Sequence, residues 1–210
     1  MTVRFSQEAL KRKNKKMIIG SHNSWSYLKP KRWWLRPFAF TAKCQNISIK
    51  DQYFFHNVRC FDLRLNFDKH GKMYLCHGPI RYKYSEEDLY KDLSYLNNKV
   101  ELCYIRVVYD ARNRWSYSKH NADLFREKCK ELEEKFPNLM FWCGRNLYNW
   151  EVEYEFWFEP TCEEKYSSVC PPKYLDDWFP WLYAKINNKK IMKMKHDSEI
   201  LLIDFINIGE

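Results

Sequence analysis

Residues 58–67, VRCFDLRLNF, decide the fold of this chain, because polar and apolar residues alternate from Cys60 to Phe67. Successive side chains of a β-strand point to opposite faces of the sheet. The apolar residues therefore share one face, and the other face carries Cys60, Asp62, Arg64 and Asn66. This pattern predicts a strand with a packed side and a side that presents Asp62 and Arg64 together.

Two neighbouring segments each end an apolar run with a histidine. IIGSHNSWSY, at 18–27, places His22 after a short strand, and MYLCHG, at 73–78, places His77 at the end of another. Two imidazoles can divide base and acid work between them, and a guanidinium binds phosphoryl oxygens as a planar fork. These residue types together indicate a site that handles a phosphate ester.

The composition predicts one domain that covers residues 1–210. A chain of 210 residues with 45% hydrophobic residues can bury a substantial core. Its mean hydropathy is −0.69, and no apolar run approaches the roughly 20 residues that a membrane-spanning helix needs. The basic segment 1–16 lacks the apolar core of a signal peptide. We therefore expect a cytoplasmic location, with peripheral membrane contact as an option, and a monomer.

The charge balance favours anionic partners without choosing among them. The net charge is +9, and clusters at 11–16 and 29–36 supply much of it. Nucleic acid, anionic lipid and a phosphorylated small molecule would all be attracted. No nucleic-acid recognition motif is present, so we expect no nucleic-acid partner.

The cysteines predict neither disulfides nor a zinc motif. There are eight, but no signal peptide is evident and no C-x-x-C pair occurs. Four of them lie inside strand-like runs, where cysteine behaves as a small buried hydrophobe. These four are Cys60, Cys76, Cys103 and Cys143.

Strands and helices are predicted to alternate along the chain. We expect strands at 17–19, 58–66, 72–76, 101–109, 139–143 and 199–206, and helices at 47–56, 85–96, 121–135 and 175–187. The segment 151–158 also alternates like a strand. Alternation of this kind predicts an α/β fold with a largely parallel sheet.

A small, irregular (β/α) TIM-like barrel is the preferred architecture. His22, Arg64, His77 and Asp204 fall at or near strand ends, and a parallel barrel gathers its carboxyl ends on the face that carries active sites. An open doubly wound sheet would also place a ligand there. It would usually carry a glycine-rich phosphate loop, however, and this chain has only five glycines, none clustered.

Several motifs, taken together and in order, resemble the X-region of the phosphatidylinositol-specific phospholipase C family. They are IIGSHNSWSY at 18–27, QNISIKDQYFFHNVRCFDLRL at 45–65 and MYLCHG at 73–78. The closing LLIDFIN, at 201–207, resembles the last barrel strand of the bacterial members. The resemblance implies a barrel whose bacterial members cleave without metal, using the inositol 2-hydroxyl to attack phosphorus.

The resemblance also implies roles for five residues. His22 would be the general base, and Asp204 would hold one tautomer of its ring. Arg64 would bind the phosphoryl oxygens and stabilise the transition state. His77 would protonate the leaving oxygen, and Asp62 would hold His77 or Arg64 in place.

Two departures from the family pattern affect the expected metal binding and the expected rate of turnover. Metal-dependent relatives bind calcium through carboxylates, but here Arg64 occupies the position of one carboxylate and Arg106 adds a further cation. We therefore expect no calcium, no other metal and no cofactor. Bacterial members usually carry Asp where this chain has Asn23, which cannot donate a proton to the leaving group. Turnover would then be slower, or the leaving group would differ from diacylglycerol.

Further residues are candidates for substrate and membrane contact. Asn23, Arg106, Arg145 and Glu159 are predicted to bind the polyol phosphate. KPKRWWLRPFAF, at 29–40, mixes cations with Trp33 and Trp34. Such a segment either contacts the head groups of a membrane or forms a lid whose rings stack with cations.

The leading hypothesis is a metal-independent phosphodiesterase that acts on an inositol or other polyol phosphodiester. A glycerophosphodiester-type hydrolase is an alternative, although Arg64 disfavours the carboxylate cage that such an enzyme needs for its metal. The alternative from another class is a catalytically silent module that binds phospholipid head groups, which Asn23 would suit.

Overall fold

The computed structural model describes residues 17–110, 119–143, 154, 156, 160–164 and 179–208, which form a mixed α/β fold. Within these ranges eight strands form one sheet: β1 Ile18–Ser21, β2 Cys60–Phe67, β3 Met73–His77, β4 Ile80–Arg81, β5 Cys103–Tyr109, β6 Leu139–Cys143, β7 Cys162–Glu164 and β8 Ile200–Ile203. The same residues include the α-helices α1 Ile49–Phe55, α2 Glu86–Asn97, α3 Lys119–Lys135 and α4 Pro180–Ile191.

The sheet is largely parallel, as the sequence predicts. β1 pairs in parallel with β2 and β8, and β8 pairs in parallel with β7. On the other side of β1, β2 pairs in parallel with β5 and β5 with β6. In the described part of the chain β6 and β7 do not pair with each other. Closure into a TIM-like barrel therefore stays a prediction.

An antiparallel hairpin brings the end of β3 toward the end of β1. β5 pairs along one edge of β2 from Cys60 to Leu65, so β1 and β3 must share the opposite edge. β1 occupies the first part of that edge and ends at Ser21. β3 pairs with the last part and runs back toward β1. This geometry explains how two strands that are distant in sequence can place their terminal histidines close together.

The apolar face of β2 supplies the core, as its alternation predicts. Phe61, Leu63 and Leu65 are fully buried. α3 packs on β2, β5 and β6, and its Phe125 and Leu132 are also fully buried. Burying side chains of this size contributes about 1.5–3 kcal/mol each before the entropy cost of folding.

β1 lies close to both of its neighbours because residue 20 is glycine. A Cβ at Gly20 would lie 2.4 Å from Leu202 Cδ2 and 3.0 Å from the Cβ of Cys60. A side chain there would force the Leu202 side chain or β1 itself to move. The glycine thus allows the close three-strand packing that sets the position of the residues after β1.

Most predicted element boundaries agree with the structure to within a few residues. The Ser85 hydroxyl caps α2, since it accepts a hydrogen bond from the Asp88 N–H. Trp33–Thr41 form a 3-10 helix in a stretch where the sequence predicted neither a helix nor a strand. The predicted strand at 151–158 lies largely outside the described residues. No helix in the described ranges is both long and apolar enough to cross a membrane.

Candidate active site

His22 and Asp204 follow two adjacent parallel strands. The register of β1 with β8 pairs Ser21 with Ile203, so the next residue of each strand lies at the same level. The His22 N–H donates to the Ile203 carbonyl at 3.0 Å, and His22 Nδ1 lies 2.7 Å from Asp204 Oδ1. Neither side chain is more than 1% exposed. The sheet thus fixes one nitrogen of the imidazole on a buried carboxylate.

Arg64 contacts the other nitrogen of the same ring. Asp62 and Arg64 project from one face of β2, and Arg64 Nε donates to Asp62 Oδ2 at 2.9 Å. Arg64 Nη2 lies 2.6 Å from His22 Nε2. A guanidinium can only donate, so Nε2 accepts and the ring proton lies on Nδ1, toward Asp204. This tautomer has its basic lone pair on the side of the guanidinium.

Asp62 is a buried carboxylate that holds the cations of the site. Its Oδ1 is 3.6 Å from Arg106 Nη1, and its Oδ2 accepts the Asn23 N–H at 2.8 Å. Burial alone would raise the pKa of Asp62. The charges of Arg64 and Arg106, together with the Asn23 hydrogen bond, outweigh burial and hold that pKa below its ordinary value. Asp62 is therefore ionised at neutral pH.

His77 lies across from His22 at the end of β3. The two ring centroids are 5.9 Å apart and the ring planes are nearly perpendicular. His77 Nδ1 lies 2.9 Å from the Ala42 carbonyl oxygen, to which it must donate. Proton transfer would therefore use Nε2. The following Gly78 N–H donates to the buried Asp110 carboxylate at 2.7 Å, which holds the turn after His77.

The site meets solvent on the side of Arg64 and His77. His22, Asp62 and Asp204 are almost fully buried, whereas His77 is 7% exposed and the Arg64 side chain 11%. A substrate phosphate would thus meet the guanidinium and the His77 ring before it met the other groups.

The SHNS motif builds the turn that presents His22. The Ser24 hydroxyl accepts the Asp62 N–H at 2.7 Å, and the Ser24 N–H donates to the Asp62 carbonyl at 3.0 Å. Asn23, which lies between His22 and Ser24, has a φ of +42°, in the left-handed region that asparagine tolerates better than most residues. The described contact of Asn23 with the site is its backbone N–H on Asp62. Its predicted substrate contact stays a prediction.

Two residues of the site were missed by the sequence reasoning. Gln45 is fully buried, and its Nε2 donates to the carbonyls of His22 at 3.1 Å and Ile203 at 2.9 Å. Cys44 is buried beside it, with Sγ 3.9 Å from His77 Nδ1. Ser26 Oγ accepts the backbone N–H groups of both residues, at 2.9 and 2.8 Å. Gln45 begins the motif at 45–65, but neither that motif nor any periodicity gave these two residues a role.

The other predicted residues are Arg106, Arg145, Glu159, Trp33 and Trp34, and among these the described structure places Arg106 in the cluster. Arg145 and Glu159 lie outside the described residues. Trp33 and Trp34 lie in the 3-10 helix and are 71% and 53% exposed. Arg106 does join the site, through Asp62.

One group of possible metal ligands occurs among the described residues. Single ligand atoms of His22, Cys44 and Asp204 lie within 4.8 Å of one another. The donors are nitrogen, sulfur and oxygen, whereas calcium prefers six to eight oxygens. Arg64 lies against His22, and Arg106 lies near Asp62. The set does not fit a calcium site.

Comparison with solved structures places the chain among bacterial phosphatidylinositol-specific phospholipases C in fold. The Listeria monocytogenes enzyme has a TM-score of 0.60 at 15% identity, with 91% of this chain and 88% of that chain covered. A variant of the Staphylococcus aureus enzyme gives 0.59 at 15% identity, covering 91% and 86%. Another structure of the Staphylococcus aureus enzyme, concerned with modulation of its membrane binding, gives 0.57 at 15% identity, also covering 91% and 86%.

Sequence comparisons add nothing to this likeness. No protein-family model matches the chain, and no curated protein matches it. The resemblance of the motifs is thus confirmed at the level of the fold, and the chemistry has to be argued from the site itself.

Proposed function

We propose that this protein is a metal-independent phosphodiesterase that cleaves an inositol or other polyol phosphodiester through the substrate's own hydroxyl. The proposal rests on the contacts of the two ring nitrogens of His22. Its Nδ1 lies on Asp204 at 2.7 Å, and its Nε2 lone pair faces the Arg64 guanidinium at 2.6 Å. A base and a phosphate-binding cation thus meet at one point, near a second imidazole.

His22 acts as the general base. Its Nε2 takes the proton of the hydroxyl adjacent to the phosphodiester, and the oxygen attacks phosphorus. Asp204 stabilises the imidazolium that forms and keeps the proton of Nδ1 in place. General base catalysis of this kind contributes on the order of 10²–10⁴ in rate.

Arg64 binds the non-bridging phosphoryl oxygens. In the absence of substrate its Nη2 donates to His22, and a phosphodiester, whose two non-bridging oxygens share one negative charge, is a stronger acceptor. Binding of the phosphate would therefore draw the guanidinium toward phosphorus and leave Nε2 ready to accept a proton. Asp62 fixes the Nε edge of the guanidinium at 2.9 Å, which limits its motion. The fixed cation then stabilises charge that develops in the transition state.

His77 acts as the general acid. As an imidazolium it donates the Nε2 proton to the departing ester oxygen while the phosphorus–oxygen bond breaks, so that an alcohol leaves. Its Nδ1 donates to the Ala42 carbonyl in either protonation state. That bond orients the ring. The cyclic phosphodiester that remains accounts for every atom of the substrate apart from the leaving alcohol.

Substrate binding involves residues beyond these five. We assign Arg106 to the phosphate or polyol side of the pocket, where it also balances Asp62. Asn23, Arg145 and Glu159 are proposed polyol contacts on the strength of the resemblance alone. Because Asn23 replaces the aspartate usual in bacterial members, His77 would act as acid without a carboxylate at that position.

Of the two roles considered for the 3-10 helix, contact with a membrane suits its exposed residues better than a role as a lid. Trp33, Trp34, Phe38 and Phe40 are all between 48% and 71% exposed, so these rings do not close a pocket. Phe40 stacks on Phe179, which directly precedes α4, and α4 presents the exposed Trp181. Exposed aromatic rings flanked by cations suit the head-group layer of an anionic membrane. We propose that this face touches lipid during catalysis by a cytoplasmic, monomeric protein.

The test is turnover of two soluble substrates, an inositol phosphodiester and a glycerophosphodiester, each with EDTA and with added calcium or magnesium. The proposal expects cleavage of the inositol ester in EDTA. Cleavage of the glycerol ester only with metal would favour the glycerophosphodiester hydrolase. Saturable binding of inositol phosphate without turnover would favour the silent head-group-binding module.

A further inference from the structure

Asn188 is a polar residue on the buried face of helix α4. Ala184 lies four residues before it and Ile191 three residues after it, and all three are buried. Residues at this spacing share one face of a helix. A buried amide on an otherwise apolar face is costly unless it is hydrogen-bonded. The partners of the Asn188 amide therefore indicate its role.

The Asn188 amide contacts three backbone carbonyls in the turn that follows β8. Its Nδ2 donates to the carbonyl oxygens of Asp204 at 2.7 Å, Phe205 at 3.2 Å and Ile208 at 3.0 Å. A primary amide has two N–H donors, so three acceptors share two protons. The amide thus ties α4 to both ends of the turn 204–208.

The peptide that joins Asp204 to Phe205 is held on both sides. Its carbonyl oxygen accepts from Asn188, and its N–H donates to the Cys44 carbonyl at 2.6 Å. The ladder of β1 with β8 ends one residue before Asp204, at Ile203. The backbone at Asp204 is therefore fixed by these two contacts rather than by the sheet ladder.

The turn needs this support because Phe205 has a strained backbone. Its φ is +47°, in the left-handed region that bulky residues rarely adopt. A conformation of this kind persists only where its surroundings hold it. Without Asn188 the turn could relax to a negative φ at Phe205, and the adjoining peptide of Asp204 would rotate. The Asp204 carboxylate, which lies 2.7 Å from His22 Nδ1, would then move.

We propose that Asn188 is a positioning residue that holds the Asp204 carboxylate on His22. It acts through the backbone of the turn and not on the substrate. The effect on catalysis rests on the proposed function, whereas the hold on Asp204 does not. A displacement of about 1 Å at a catalytic group can cost about 10²-fold in rate. Loss of Asn188 should therefore lower turnover by about that factor.

Proton NMR of the protein with nitrogen-15-labelled histidine tests this hold without any substrate. The wild type should show a downfield His22 Nδ1 proton that exchanges slowly with water, because a buried carboxylate accepts it. Loss of the signal in His22→Ala assigns it. In Asn188→Ala the signal should move upfield, and its exchange should become at least about tenfold faster. The matched control is Asn187→Ala. Asn187 donates to the Tyr183 carbonyl within α4, so this variant should retain the signal.

Asn188→Ser provides a second variant, should the alanine variant fold poorly. Its hydroxyl offers one donor to three carbonyls, so the signal should change in the same direction by a smaller amount. Circular dichroism establishes that each variant compared is folded. A wild-type signal in the folded Asn188 variants overturns the proposal. An equal change in Asn187→Ala overturns it as well, because the effect would then belong to the helix as a whole.

Turnover of the inositol phosphodiester tests whether Asn188 acts through Asp204. Asn188→Ala should lower the turnover number by about 10²-fold, with KM changed much less. The same substitution in Asp204→Asn protein should cost less than about threefold, because the carboxylate that it positions is already gone. Equal losses in both backgrounds would overturn the proposal, since independent sites have additive effects. A protein whose His22 signal depends on Asn188 but which cleaves no phosphodiester retains the positioning role and disproves only the proposed function.

Discussion

The imidazole of His22 and the carboxylate of Asp204 are 2.7 Å apart, although 182 residues separate them in the chain. Their contact depends on the parallel pairing of β1 with β8, which brings Ser21 beside Ile203. Gln45 links the two strand ends by donating to the carbonyls of His22 and Ile203. The pairing of these strands therefore determines which nitrogen of the proposed base carries the proton.

Asp204→Asn should lower the turnover number on an inositol phosphodiester by a factor on the order of 10²–10⁴. The amide can donate to Nδ1 and so favour the wrong tautomer, with the proton on Nε2. Steady-state kinetics across pH measure the effect, with KM changed much less than the turnover number. Asp197→Asn, an exposed acid just before β8, is the control and should retain the wild-type rate.

Arg64→Lys should reduce catalysis by at least about 10²-fold, although the charge is kept. An ammonium cannot contact Asp62 and a phosphoryl oxygen with the planar fork of a guanidinium. Single-turnover rates with saturating substrate measure the loss. The control is Arg59→Lys. Arg59 directly precedes β2 and pairs with Glu101, so this variant should retain the wild-type rate. Equal rates in wild type and Arg64→Lys would remove Arg64 from the mechanism.

Asp62→Asn should destabilise the fold by about 3–5 kcal/mol at neutral pH, because it leaves the buried Arg106 and the largely buried Arg64 without their carboxylate. The pKa of Asp62 is lowered in the folded state from its ordinary 3.8. Its stabilisation is therefore complete above that ordinary value and is lost as the pH falls through the lower folded value.

Urea denaturation of wild type and Asp62→Asn from pH 7 to pH 3 measures this difference. The gap in unfolding free energy should be constant at neutral pH and should narrow below about pH 4. A gap that widens as the pH falls would contradict the assigned ionisation of Asp62.

Replacement of Trp33 and Trp34 by alanine should weaken binding to vesicles that contain phosphatidylinositol, by at least about tenfold. Both rings are exposed beside cations, and Arg32 stacks on Trp34 with 5.7 Å to the ring centroid. Vesicle sedimentation measures the partitioning. The matched control replaces Phe54 and Phe55, an equally exposed aromatic pair at the end of α1. If the Phe54/Phe55 variant loses as much binding, membrane contact is not specific to the 3-10 helix.

The strands of the site could be predicted from sequence because their signals are local. The alternation in β2 shows by itself that Asp62 and Arg64 share a face, and the structure places Arg64 Nε 2.9 Å from Asp62 Oδ2. Strand ends marked by His22 and Asp204 could likewise be read from short apolar runs. The parallel sheet then brings these ends together.

The rest of the site depends on long-range packing that has no local signal. Cys44 and Gln45 reach the site through backbone hydrogen bonds to the Ser26 hydroxyl, a contact between two irregular segments. The shared edge of β2, which sets His77 against His22, follows from strand pairing that the periodicity of β3 does not reveal. The 3-10 helix Trp33–Thr41 contains Pro37, a residue type that disfavours a regular helix in a sequence pattern.

The most direct test of the central claim is phosphorus-31 NMR of an inositol phosphodiester incubated with the protein in EDTA. The account makes His22 the base, Arg64 the residue that binds the phosphate and His77 the acid. It therefore predicts a five-membered cyclic phosphodiester as the first product, with its characteristic downfield resonance. The same sample with His22→Ala should show no cyclic product. Unchanged cleavage by His22→Ala, or cleavage only after addition of metal, would contradict the account.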